Sequence, residues 1–123
     1  MLIAPSRRVF VAADPVDFHF SFDRLAGVVR NALRADPLSG DLFAFFNRAR
    51  THCKILVFEP GGYAIYYKRL ERGSFELPVI SGEATRVEVD ASTLAMILDG
   101  IDLRAPRRLR YTLDRGKNVL PES

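Results

Sequence analysis

A chain of 123 residues, 48% apolar and 27% charged, has the length of one domain and the composition of an ordinary globular protein rather than of a disordered segment. Its apolar runs fall far short of the roughly 20 residues that span a bilayer; Met1 to Val11 carries two arginines and no long apolar stretch, against a secretory leader; and a lone Cys53 excludes an intrachain disulfide and fits a reducing cytoplasm. The net charge of +3 is uneven, because Arg104, Arg107, Arg108, Arg110, Arg115 and Lys117 face only Asp114 between residues 104 and 117, a local +5 that leaves the remainder at −2.

Arg8 to Ala13 reads as a first strand, closed by Asp14-Pro15 because proline fixes φ and lacks the N–H that a ladder needs. Ser21 is placed to cap a helix in which Phe22, Leu25, Val29 and Ala32 or Leu33 recur at helical spacing. About four turns are expected, with Arg24, Arg30, Asn31 and Arg34 outward and Asp36-Pro37 as the stop; a start nearer Pro15 is the alternative. Leu42 to Phe46 reads as a second strand, Asn47 to Thr51 as a polar turn and Cys53 to Phe58 as a third strand.

Glu59-Pro60-Gly61-Gly62 then supplies proline and glycine for a tight reversal into a fourth strand, Tyr63 to Leu70. With Phe58 facing Tyr63, alternation puts Ile55, Val57, Ala64 and Tyr66 on one face, which a helix is expected to cover. Lys54, Leu56, Phe58, Tyr63, Ile65, Tyr67 and Arg69 share the other. A short strand at Ser74 to Leu77 and another at Arg86 to Val89 flank an irregular connector, and Asp90 caps a second helix, Ala91 to Leu98, closed by Gly100. The expected architecture is a single α+β domain, 1–103, with an antiparallel meander of about five strands and two packed helices, followed by a basic extension, 104–123.

Reactive groups do not converge in this pattern. His52 and Cys53 resemble a base and nucleophile, but successive strand side chains point to opposite faces. His19, His52 and Cys53 lack the spacing of a metal set, and Asp14, Asp17 and Asp23 are better explained by capping and solvation. Gly61-Gly62 has no P-loop lysine or dinucleotide fingerprint around it. No catalytic residue, metal or cofactor is therefore assigned, and an enzyme is not expected.

Basic residues carry the stronger signal. Lys54, Tyr63, Tyr67 and Arg69 on one sheet face could stack bases and neutralise phosphates, or could be a half-buried face with snorkelling charged ends. Arg48 and Arg50 at the first hairpin tip, with Lys68, Arg69 and Arg72 around the end of the fourth strand, form a second cluster. Arg104, Arg107, Arg108 and Arg110 form a third. Fifteen of the eighteen basic residues are arginine, whose planar fork suits phosphate and carboxylate equally, so DNA and an acidic protein partner both fit.

Certain stretches are more specific than composition. They are Pro15-Val16-Asp17, the run Asp36-Pro37-Leu38-Ser39-Gly40-Asp41-Leu42-Phe43, Asn47-Arg48, Lys54-Ile55-Leu56, Gly62-Tyr63, Tyr67-Lys68-Arg69-Leu70-Glu71-Arg72-Gly73-Ser74-Phe75 and Asp99-Gly100-Ile101-Asp102. Across Val9 to Arg104 the chain resembles the small accessory protein of bacterial transposons of insertion-sequence family 66, the second open reading frame product often labelled TnpB. It departs from that pattern at Phe18 to Ser21, where a basic pair is common, and at Val57-Phe58 and Leu103, where tryptophan is common.

The resemblance implies a non-catalytic, cytoplasmic accessory factor in DNA transposition that assists a separate transposase, with DNA backbone as an expected partner and no membrane. The alternative is an adaptor that binds the transposase or itself, as a homodimer through a free sheet edge, without touching DNA.

Overall fold

The computed structural model describes residues 7–100, and its centre is a meander built from the middle of the chain. Strands β2 (Leu42–Phe46), β3 (His52–Glu59) and β4 (Gly62–Arg69) pair antiparallel in sequence order. Phe58 faces Tyr63 across a reversal in which Gly61 takes φ +95°, a left-handed value that glycine adopts without steric cost. In the turn before β3, the Asn47 side-chain oxygen accepts the amides of Thr51 (2.9 Å) and His52 (3.0 Å), while Arg50 takes φ +59°.

The sheet is completed from both ends of the chain. Strand β1 (Val9–Ala12) lies between β2 and β5 (Arg86–Val89), giving a five-stranded order β4-β3-β2-β1-β5. Three pairings are antiparallel, and β1 with β2 is parallel. That departure from a simple meander follows from helix α1 (Phe22–Asn31), a crossover that returns the chain to the same end of the sheet before β2 begins. The chain thus folds as one α+β domain, and the expected extension beyond residue 103 lies outside the described residues.

Two apolar layers sandwich the sheet. On one face Val9, Val11, Leu42, Ala44, Phe46, Cys53, Ile55 and Val57 pack with Phe75 and with Leu94 and Ile97 of α2 (Ala91–Leu98). On the other, Phe10, Ala12, Phe43, Phe45 and Leu56 pack with Leu25, Ala26, Val29 and Leu33. Because β1 and β2 are buried on both sides, their sequences VFVA and LFAFF show no polar alternation. Phe10 and Phe43 stack across the strand pair at 5.6 Å.

The helix ends refine the sequence expectations. Helix α1 is ten residues, shorter than four turns, and Ser21 is extended but makes no side-chain cap bond. Asp17 orders the approach instead: its carboxylate accepts the His19 amide at 2.7 Å, and that bond lowers its pKa. Beyond α1 the amides of Leu33 and Ala35 still bond to Val28 and Val29, and Arg34 takes the left-handed φ of +57°. Ser74 to Leu77 forms no strand; the segment between β4 and β5 is irregular, although Phe75 is buried.

Asp90 caps α2 as expected, accepting from the Thr93 amide at 2.7 Å, and these hydrogen bonds hold its pKa below the usual carboxylate value. A lowered folded-state pKa gives stability that is present above the unfolded value and lost as pH falls through the folded one. Asp90→Ala should therefore melt below the unsubstituted protein at neutral pH, with the gap closing in acid below about pH 4. Thermal melts monitored by circular dichroism at both pH values check this; a gap independent of pH would assign the loss to something other than the carboxylate.

Candidate nucleic-acid interface

Strand polarity gathers dispersed arginines at one end of the sheet. His52 at the start of β3 pairs with Arg69 at the end of β4; the Leu70 amide bonds to the Thr51 carbonyl at 2.9 Å, and the Phe75 amide to the Arg50 carbonyl at 2.7 Å. Arg48, Arg50, Arg69 and Arg72 therefore occupy neighbouring loops of one exposed rim. Arg69 is drawn toward Glu71 at 3.0 Å in an exposed pair of small energetic weight. Arg50 also borders a groove of about 700 Å³ lined by Asp14, Leu77, Pro78 and Ile80. Sequence reasoning did not find this groove, since its wall is an irregular segment with no periodicity to read.

The two lysines of the expected site are engaged elsewhere in the fold. Lys54 Nζ donates to the carbonyls of Phe18 (2.6 Å) and Phe20 (2.7 Å), and it sits 5.1 Å from the Tyr67 ring centroid. Lys68 Nζ donates to the Leu98 carbonyl at 2.7 Å. Lys54, Tyr63, Tyr67 and Arg69 do share a face, as their register requires, but that face is partly covered, with Lys54 and Tyr63 half-buried and Tyr67 and Arg69 exposed. Phe18 meets Tyr67 edge-on at 5.3 Å and His52 at 4.2 Å, while Tyr63 packs against Phe58 at 5.2 Å. Tyr67 retains 47% exposure. Phe18 was legible only as a departure from the family pattern, yet it is the side chain that packs on His52 and Tyr67 at this face.

His52 and Cys53 point to opposite sides of the sheet. The imidazole lies with Phe18, Asn47 and Thr51, and the thiol is in the opposite core layer, fully buried. Burial pushes the Cys53 pKa up to about 12. Since the thiolate is the reactive form, a chromogenic disulfide reagent at pH 8 should label Cys53 only as fast as the domain opens. Labelling is expected to follow the denaturant unfolding curve; rapid labelling in native buffer would contradict the buried placement.

The last described residues lie beside the same rim. The Lys68–Leu98 bond holds the end of α2 against the end of strand β4, and Gly100 with φ +76° closes the helix there. Arg104, Arg107, Arg108 and Arg110 themselves fall outside the described residues.

A family model described as IS66 Orf2 like protein matches residues 7–108, from the threshold of β1 through three of those arginines. The chain belongs to the IS66 Orf2-like family. This IS66 Orf2-like protein is 34% identical over 100 residues to "Uncharacterized protein y4hO" of Sinorhizobium fredii, covering 81% of this chain and 85% of that protein. It is 30% identical over 109 residues to "Uncharacterized protein y4jC" of the same organism, covering 87% and 92%. No solved structure matches it. Membership gives the protein a transposition-associated accessory role. No helix among the described residues is long and apolar enough to cross a membrane.

Proposed function

We propose that this IS66 Orf2-like protein is a non-catalytic, cytoplasmic accessory factor that holds DNA backbone beside the element's transposase. The observation that carries the reading is the convergence of Arg48, Arg50 and Arg72 on one rim, next to the point where the chain departs toward Arg104, Arg107, Arg108 and Arg110. No side-chain hydrogen bond or ion pair within the described residues occupies Arg48, Arg50 or Arg72, so their donors are available to phosphate. Guanidinium groups on loops bind backbone oxygens without reading bases, which suits a factor that assists rather than chooses the site.

The deciding measurement is fluorescence anisotropy against terminal DNA of the element across a salt series, with and without transposase. Affinity should be present at low salt and fall steeply as salt rises. It should weaken when Arg107, Arg108 and Arg110 become alanine. No affinity at low salt would end the DNA reading, and binding that required transposase yet ignored salt would favour the adaptor.

A further inference from the structure

The two outer strands of the sheet are built differently. Strand β5 is four residues long, and its edge is charged: Glu88 pairs with Arg8 at 2.8 Å, and Arg86 donates to the Leu33 carbonyl at 2.6 Å. Short length and charge are ordinary means of keeping an edge from pairing with another chain. Strand β4 is longer, and its charges, Lys68 and Arg69, are confined to its last two residues. It is eight residues long, and the run Tyr63-Ala64-Ile65-Tyr66-Tyr67 has no charge and no proline. Among the described residues no strand pairs with its outer side.

We infer that β4 is an interface for a second copy of this chain, through antiparallel β4–β4 pairing centred on Ile65. Two-fold pairing keeps paired residues on the same face, so the centre must fall on a residue, not between two. Centring on Ile65 sets Tyr63 opposite Tyr67 and Ala64 opposite Tyr66 of the other copy, two aromatic pairs and two small-against-large pairs related by the axis. It also places Lys68 opposite Gly62, whose β3 partner on the same face is the carboxylate of Glu59, and so brings the basic end of each β4 to the acidic end of the other copy's hairpin. Parallel alignment would instead set Lys68 and Arg69 against themselves. Charge complementarity thus selects a second copy in one direction.

The pairing is independent of DNA binding, but on the DNA reading it has a consequence. The rims of the two copies face opposite ends of a continuous ten-stranded sheet, twice the five of one copy. One dimer would then present two separate duplex sites.

Light scattering coupled to size exclusion, on the full chain at tens of micromolar, should give twice the 13.8 kDa chain mass. Ile65→Lys and Ile65→Glu each put like charges face to face on the axis, and each should be monomeric. An equimolar mixture should restore the dimer, which neither an unfolded variant nor another interface can do. Hydrogen exchange supplies a readout without substitution: amides of Tyr63 to Tyr67 on the outer edge should gain protection as concentration rises. A native chain that stays monomeric, or single variants that remain dimeric, would overturn the proposal. Because Arg48, Arg50 and Arg72 are untouched, salt-dependent DNA affinity of the monomeric variants separates failure here from failure of the DNA reading.

Discussion

The triple variant Arg48→Ala, Arg50→Ala, Arg72→Ala is expected to flatten the dependence of log affinity on log salt by about 3, close to one unit for each lost duplex phosphate contact. At about 0.1 M salt, a slope change of that size, taken from a reference of about 1 M, corresponds to a loss on the order of 1,000-fold in affinity. Folding should be unaffected, since no described hydrogen bond or ion pair uses these three guanidinium groups. Arg50 keeps its structural bond because the acceptor for the Phe75 amide is its backbone carbonyl. Alanine also occupies the same left-handed position that Arg50 already holds, so the turn gains little additional strain. Titrations over the salt range used for the unsubstituted protein measure the slope directly. An unchanged slope would remove the rim from the interface and leave the extension as its only candidate.

Phe75→Ala should be among the most damaging single substitutions outside the strands. The ring is 1% exposed and lies 5.3 Å from Phe46, in the layer beneath α2. Deleting it costs about 3–5 kcal/mol, counting both the lost transfer energy and the cavity. Against a typical total of roughly 5–15 kcal/mol, that is enough to shift an unfolding midpoint strongly. Phe75 is also the anchor of an otherwise irregular segment, and its amide ties that segment to Arg50. The variant should therefore bind DNA less tightly under conditions where it remains folded, but with its salt slope retained, because no cation is removed. Chemical denaturation followed by circular dichroism gives the stability change. A loss below about 1 kcal/mol would mean that Phe75 is not seated as described.

The local elements were readable wherever one physical rule dominated. The reversal at Pro60-Gly61, the Asp90 cap and the Gly100 closure each rest on a residue whose chemistry permits few conformations, and each stands where the sequence placed it. The register Phe58 to Tyr63 followed from that reversal, and with it both faces of the hairpin. Strand order was less legible. Val9 to Ala12 is apolar at every position, which says that β1 is buried on both sides but not which strands flank it. The parallel partner is set by the path of α1, and the antiparallel partner lies near the far end of the described chain.

At the candidate site, charge could be counted from sequence but engagement could not. Lys54 and Arg48 look equivalent as letters; the first reaches two carbonyls of the segment before α1, while the second stands on an open turn. That difference depends on Phe18 and Phe20, far from Lys54 in sequence. No local pattern encodes it.

The placement of β1 also sets an order of assembly. Strands β2, β3 and β4 are joined by short turns and pair with their nearest neighbours, so they can form as soon as that stretch of chain is free. Strand β1 is made first yet finishes late: its second neighbour is β5, and Val9 finds Val89 only after most of the domain exists. During synthesis the nascent chain must carry VFVA with at most one side of its ladder satisfied until residue 89 has emerged. The meander is thus the expected early nucleus, and closure of β5 against β1 the step that commits the domain to its final shape.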